Sequence, residues 1–209
     1  LFSATLDGVV GNMANRMTRN PQRIEIEVAQ EDRGQIEQRL MFADDLGHKN
    51  RLLEALLAGE GLNQTLVFTA TKRSADELSL SLQEKGISAA ALHGDMHQTQ
   101  RNRTLDRLRQ GRIGVLVATD VAARGIDVAG ISHVINFDPP RQAEDYVHRI
   151  GRTGRAKRHG VAFTLMSFQE SVRMDEILRY LQGDKPEKLE FDEMGVLRHA
   201  DGSAFFENV

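Results

Sequence analysis

The chain has 209 residues, 40% of them hydrophobic and 27% charged, with a formal net charge of −3 and no cysteine. That length suits one medium domain with extras or two small ones, and the balance is that of a globular protein rather than a disordered or fibrous one. Disulfides and cysteine-ligated metal are excluded, and no apolar run approaches the ~20 residues of a bilayer-crossing helix. A cysteine-free chain fits an intracellular, cytoplasmic setting.

Residue 1 is Leu, and residues 1–6 read like the middle of a domain. Residues 1–22 are therefore expected to be the remnant of an upstream unit, followed by a polar linker over 23–35. From there β-rich runs alternate with helical patterns. A strand is predicted over 36–42 and a helix over 46–57, with Leu46, Leu53 and Leu57 on one stripe. A buried-type strand over 65–69 leads to a helix over 73–85 with Ala75, Leu78 and Leu82 inward, ended by Gly86. A strand over 89–92, a helix over 98–110 and a strand over 114–118 follow. The strand over 133–137 stops at Pro139–Pro140 and gives way to a helix over 142–150. Last come a strand over 161–166 and a helix marked by Met174, Ile177, Leu178 and Leu181. Residues 184–209 hold 7 acidic and 3 basic residues and read as an acidic tail or the start of an auxiliary segment. The alternation predicts an α/β fold of three αβα layers, with right-handed crossovers and a mostly parallel, twisted sheet.

Charge is not spread evenly. Residues 97–160 carry 12 Lys/Arg against 6 Asp/Glu, a balance of +6, so the remainder sums to −9. A basic region on an acidic body predicts a polyanion contact confined to one edge. The unusual polar segments, 69–73, 93–95 and 119–127, fall just beyond the C-terminal ends of predicted strands, where open parallel sheets bind ligands.

The octet His148–Arg155, His-Arg-Ile-Gly-Arg-Thr-Gly-Arg, places three arginines and two glycines directly after an amphipathic helix. Closely spaced guanidinium forks suit phosphates, and glycines let a ligand or a backbone come near. Thr119–Asp127 mixes hydroxyl, carboxylates, Arg124 and Gly125; alone it also reads as a strand-to-helix turn capped by Asp120. Gln98 and Arg101 share a helix face and alone would be solvated surface. His93 and His148 alone would be hydrogen-bonded turn or core histidines. The sequence has no Walker A loop and no zinc-ligand spacing, so the arginines look like half of a phosphate site.

Together these segments resemble the C-terminal RecA-like domain of the DEAD-box RNA helicases of superfamily 2, over roughly residues 36–183. Ser3-Ala4-Thr5 is similar to the Ser-Ala-Thr motif at the end of the first RecA-like domain, Leu66–Lys72 to motif IV, and Gln98-Thr-Gln-Arg101 to the Gln-x-x-Arg element. Thr119–Asp127 is similar to motif V and His148–Arg155 to motif VI. The resemblance implies an RNA helicase lobe that uses ATP, with Mg²⁺ held by ligands in the absent N-terminal RecA-like domain. It implies arginine fingers at Arg152 and Arg155, ribose binding by Asp127 and room for nucleotide at Gly125. RNA backbone would be held, independently of sequence, by Gly94, Gln98, Arg101, Thr119 and Asp120, with Arg73 a weaker candidate. Ser3, Thr5 and His148 would couple the two lobes. A scaffold or RNA-clamping module of the same fold without catalysis is the alternative, and a DNA-directed relative of the same superfamily a third.

Overall fold

Strands that are apolar on both sides need cover on both sides, and the sequence supplies it with helices in the connections. The computed structural model describes residue 16, residues 36–59, 64–124, 126, 128, 130–154, 158–179 and 181, and the backbone of 180, 187–191 and 197–199. Its elements in chain order are β1 (Ile36–Phe42), α1 (Leu46–Leu57), β2 (Thr65–Phe68), α2 (Lys72–Glu84), β3 (Ala89–Leu92), α3 (Gln98–Arg109), β4 (Val115–Ala118) and α4 (Asp120–Ala123). They continue with β5 (His133–Asn136), α5 (Ala143–Ile150), β6 (Gly160–Met166), α6 (Phe168–Tyr180), β7 (Glu187–Phe191) and β8 (Leu197–His199). The strands form one sheet in the order β3-β4-β2-β5-β6-β1-β7-β8. Every pairing is parallel except that of β7 with β8. This is the RecA-like α/β architecture expected.

The period of two along each strand sorts side chains onto two faces. Leu66 and Phe68 of β2, Leu116 and Ala118 of β4, and Val134 of β5 face one core, closed by Leu108, Tyr146, Ile150, Met174 and Ile177 from α3, α5 and α6. Val67, Val115, Val117 and Ile135 face the other, closed by Leu52, Leu53 and Leu56 of α1 and by Ala75, Leu78 and Leu82 of α2. Helix starts are set by side-chain caps that satisfy orphan amides. Asp45 accepts from the His48 N–H at 2.6 Å, and Thr71 from the Ser74 N–H at 3.0 Å. Ser167 and Glu170 form a reciprocal capping box on α6.

Two expectations change. Leu46 is 65% exposed, and the inward face of α1 is instead Lys49, Leu52, Leu53 and Leu56; as the first helical residue it lies beyond the edge of the core. Residues 184–209 contain strands as well as tail: β7 adds to the sheet beside β1, with Leu189 opposite Met41. Its signal was two apolar residues at period two, Leu189 and Phe191, inside an acidic stretch. The expected remnant over 1–22 and linker over 23–35 lie outside the described residues, Arg16 apart.

Candidate functional site

Because the paired strands β1 to β7 run parallel, their C-terminal ends share one edge, and the loops leaving that edge are stitched together. The Thr69 N–H donates to the Ala118 carbonyl at 3.0 Å, the Thr119 N–H to Leu92 at 3.3 Å and the Asp138 N–H to Phe68 at 3.1 Å. The Ala70 N–H donates to the Asp138 carboxylate at 2.7 Å. The segments after β2, β3 and β4 thus form one rim, as the sequence predicted, and the segment after β5 joins it through Asp138. On it His93 is 8% exposed, with Nε2 2.9 Å from the Asp76 carboxylate. The Lys72 ammonium bonds to Asp95 next to Gly94 and holds that carboxyl below its usual value.

Motifs V and VI meet between α4 and α5. The residue that joins them is Arg149, 3% exposed. Its Nε donates to Asp120 Oδ1 at 2.6 Å and its Nη2 to Oδ2 at 2.8 Å, a bidentate pair. Nη1 donates to the Asp138 carbonyl at 2.7 Å and to Asn136 Oδ1 at 3.2 Å. The guanidinium lies 4.9 Å from the centre of the Phe68 ring, a cation–π contact. Asn136, fully buried, donates in turn to Thr164 Oγ1 at 2.9 Å. One buried guanidinium therefore ties together the ends of β2, β4 and β5 and both helices, with β6 reached through Asn136.

Above this network lies a shallow groove, open to solvent, walled by Ala123, Arg124, Asp145, His148 and Arg152 over Phe68 and Arg149. Arg152 is half-buried; its Nε donates to the His148 carbonyl and its Nη1 to the Ile126 carbonyl, each at 3.2 Å. Arg124 is exposed and stands 3.9 Å from Asp145. The turn carrying Arg152 is anchored by Thr153, whose hydroxyl lies 2.8 Å from the Ile131 carbonyl and 2.7 Å from that of Ser132. Gly154 has φ +68°, and a Cβ on Gly160 would come within 2.5 Å of the Gly154 nitrogen. That loop packs directly on the start of β6.

Asp120, expected to face RNA, gives both carboxylate oxygens to Arg149. It is the first residue of α4, not its cap, which is Thr119. Thr119 is 9% exposed. Arg101 reaches from α3 to α4, its Nη2 donating to the Ala122 carbonyl at 3.2 Å, and the Gln98 amide donates to Asn102 at 3.0 Å. Arg73 pairs with Glu77 one helical turn on. Ser3, Thr5, Gly125, Asp127 and Arg155 lie outside the described residues. In the sequence Arg149 is simply one of three octet arginines. The signal that separates it is position: Ala143, Tyr146 and Ile150 mark the inward face of α5, and Arg149, three after Tyr146, falls on it.

The groove offers cationic donors suited to a polyphosphate, and among the described residues no group of three or more His, Asp or Glu could hold a metal ion. Among those residues, too, no helix is long and apolar enough to cross a membrane.

The family model of the helicase conserved C-terminal domain matches residues 47–157. The ATP-dependent RNA helicase SrmB of Haemophilus influenzae is 42% identical over 183 residues, covering 87% of this chain and 42% of that protein. The DEAD-box ATP-dependent RNA helicase CshA of Bacillus cereus is 41% identical over 181 residues, covering 86% of this chain and 34% of that one. The chain thus spans about two fifths of such relatives or less. Among solved structures, E. coli SrmB bound to RraA aligns with TM-score 0.70 at 39% identity, covering 83% of this chain and 97% of that one. S. cerevisiae Dbp5 bound to RNA and ADP BeF3 aligns with TM-score 0.80 at 33% identity, covering 90% of this chain and 50% of that one. With the parallel sheet, the rim and the joined motifs V and VI, these matches place the chain in the helicase C-terminal domain family, as a C-terminal RecA-like domain of the DEAD-box type.

Proposed function

We propose that this domain is the second lobe of an ATP-dependent RNA helicase, delivering positive charge to a triphosphate held by a separate RecA-like lobe while gripping an RNA strand along its rim. The observation that carries this reading is the groove itself. Arg152, Arg124 and His148 line it, and buried Arg149, paired with part-exposed Asp120, holds its walls together. Phosphoryl transfer is mostly positioning and charge stabilisation, so a lobe that presents guanidinium groups in a preset geometry is sufficient for its half of the work.

In this reading Arg152 and Arg155 are the arginine fingers. Arg152 exchanges its weak bonds to the Ile126 and His148 carbonyls for phosphate oxygens. Asp127 bonds the ribose, Gly125 leaves room for it, and His148, with Ser3 and Thr5, couples the lobes. ATP with Mg²⁺ supplies the phosphoryl chemistry, its metal ligands lying in the other lobe. Gly94, Gln98, Arg101 and Thr119 hold the sugar–phosphate chain without reading bases, and Asp120 serves that surface from beneath by locking α4. That a Dbp5 structure carries both RNA and ADP BeF3 supports the pairing of ligands. We place the protein in the cytoplasm, on RNA. The test is Arg152→Ala in the complete protein: RNA-stimulated ATP turnover falls by a factor of ~10³–10⁵ while RNA affinity stays within about twofold. Undiminished turnover overturns the finger assignment.

A further inference from the structure

Helix α3 has a charge pattern that its own lobe does not use. It carries four arginines against one acid, Asp106, whereas α1 has two basic residues against one acid and α2, α5 and α6 each have one more acid than base. Arg112 follows just past its end. The single acid is taken, since Asp106 pairs with Arg109 at 3.0 Å, and Arg101 is turned toward α4. Arg103, Arg107 and Arg112 are all exposed, and none has a hydrogen bond or ion pair through its guanidinium among the described residues.

Ordinary explanations cover only part of this. A helix dipole favours cations in the last turn, which accounts for Arg107 and Arg109 but not for Arg103 at mid-helix. Like charges four apart, as Arg103 and Arg107 are, destabilise a helix. Solubility in a chain of net charge −3 would be served as well by acids. Burial does not demand them either, for α3 buries only Thr104 and Leu108 fully. Arg103 and Arg107 share one stripe, about 6 Å apart along the axis at 1.5 Å per residue. That stripe is distinct from the one holding Gln98 and Asn102.

We infer that the outer face of α3 is a second RNA-backbone surface, at which Arg103, Arg107 and Arg112 take phosphates of the RNA flanking the stretch held at the rim. The inference rests on the RNA-binding reading above. A guanidinium stripe with no acid left beside it and no aromatic residue within it suits phosphates, not bases. It lies on the same helix as the rim residues Gln98 and Arg101 but on another of its faces, so RNA held at the rim reaches it only by passing over α3.

The test compares two RNAs on the complete protein with a non-hydrolysable ATP analogue: a single strand of about eight nucleotides, and the same strand extended by a duplex arm. The variant is the triple Arg103→Gln, Arg107→Gln, Arg112→Gln. The short strand should bind wild type and variant within about twofold. The extended RNA should bind the variant about tenfold more weakly, and the slope of log affinity against log salt should fall by about 2, as expected for two or three lost phosphate contacts at ~0.7–0.9 each. Equal loss on both RNAs would overturn the inference by placing the arginines in the rim site or the fold. No loss on either would also overturn it and hand the stripe to an acidic protein surface. In both cases wild-type binding of the short strand leaves the rim reading intact; wild type that binds neither RNA defeats both readings together.

Discussion

Arg149 and Asp120 decide how the two motifs are held. A buried charge removed from water is tolerable only when its partners are complete, and Arg149 has them: a bidentate carboxylate, a carbonyl, a side-chain amide and a ring face. Lysine offers a point charge in place of a planar fork, so Arg149→Lys should destabilise the domain by about 3 kcal/mol, the range for breaking a buried pair. Urea melts read this directly. A double-mutant cycle with Asp120→Asn should show coupling above ~1 kcal/mol; additive losses would mean the pair does not act as a unit. The neighbouring turn depends on absent atoms. Gly160→Ala puts a methyl against the Gly154 backbone and the Thr153 side chain, and overpacking of this kind costs about 1–3 kcal/mol. Because the displaced loop carries Arg152, ATP turnover in the complete protein should fall further than the lost stability explains. The roles of these residues were only half legible in the sequence. Spacing put His148 and Arg152 in one octet and Asp120 at a strand end, but which arginine turns inward to meet Asp120 is decided by position around α5. The sequence marks that position only through Ala143, Tyr146 and Ile150.

Among the elements, α1 and α6 cover opposite faces of the sheet yet are clamped over its edge. Lys49 of α1, 7% exposed, donates to the Glu170 carboxylate of α6 at 3.0 Å and sits 5.8 Å from the Phe137 ring. Beneath them the Ala43 N–H donates to the Met166 carbonyl at 2.8 Å, joining the ends of β1 and β6. Burial alone would raise the Glu170 carboxyl. The Ser167 amide and the Lys49 ammonium outweigh it and hold the group below its ordinary 4.5. A depressed carboxyl contributes stability that is complete above the unfolded value and disappears as pH falls through the folded one. Glu170→Gln should therefore cost about 1–3 kcal/mol at pH 7, leaving Lys49 buried without its acid. The gap between wild type and variant should shrink as pH falls below the ordinary carboxyl value and through the lowered one of the folded state; a gap indifferent to acidification across the whole range would deny the ion pair its role. Helices and strands of this central region were readable from period alone, as with Ala75, Leu78 and Leu82 of α2, while the caps Asp45, Thr71 and Ser167 came to light in the structure. The clamp was not, since Lys49 and Glu170 lie 121 positions apart and a lysine on an apolar face carries no sequence sign of its partner. β7 escaped for a related reason: a five-residue strand owes its existence to the free edge of β1, not to its own propensity.

At the scale of the whole molecule, the charge map and the site chemistry point the same way. The groove gathers guanidinium groups, and the described residues offer no set of three carboxylates or histidines beside them. Arginine donors stabilise charge that develops on a transferring phosphoryl group, but they neither generate a nucleophile nor anchor the metal that shares the load. The prediction is that the 209-residue chain, purified alone, hydrolyses ATP at least ~10³-fold more slowly than the complete protein, the scale of catalysis assigned to completing such a site. Its RNA binding should also be weak and salt-sensitive, because phosphate contacts from one lobe leave the strand free on its other side. Steady-state turnover with saturating RNA measures the first and salt-dependent fluorescence titration the second. The informative control is the Arg152→Ala chain. If the isolated chain retained brisk turnover that this substitution abolished, Arg152 would be acting within a site complete in one lobe, and the division of labour between lobes would be wrong. If slow residual turnover were indifferent to the substitution, the guanidinium would require an opposing surface to act upon, as the shared-site reading demands.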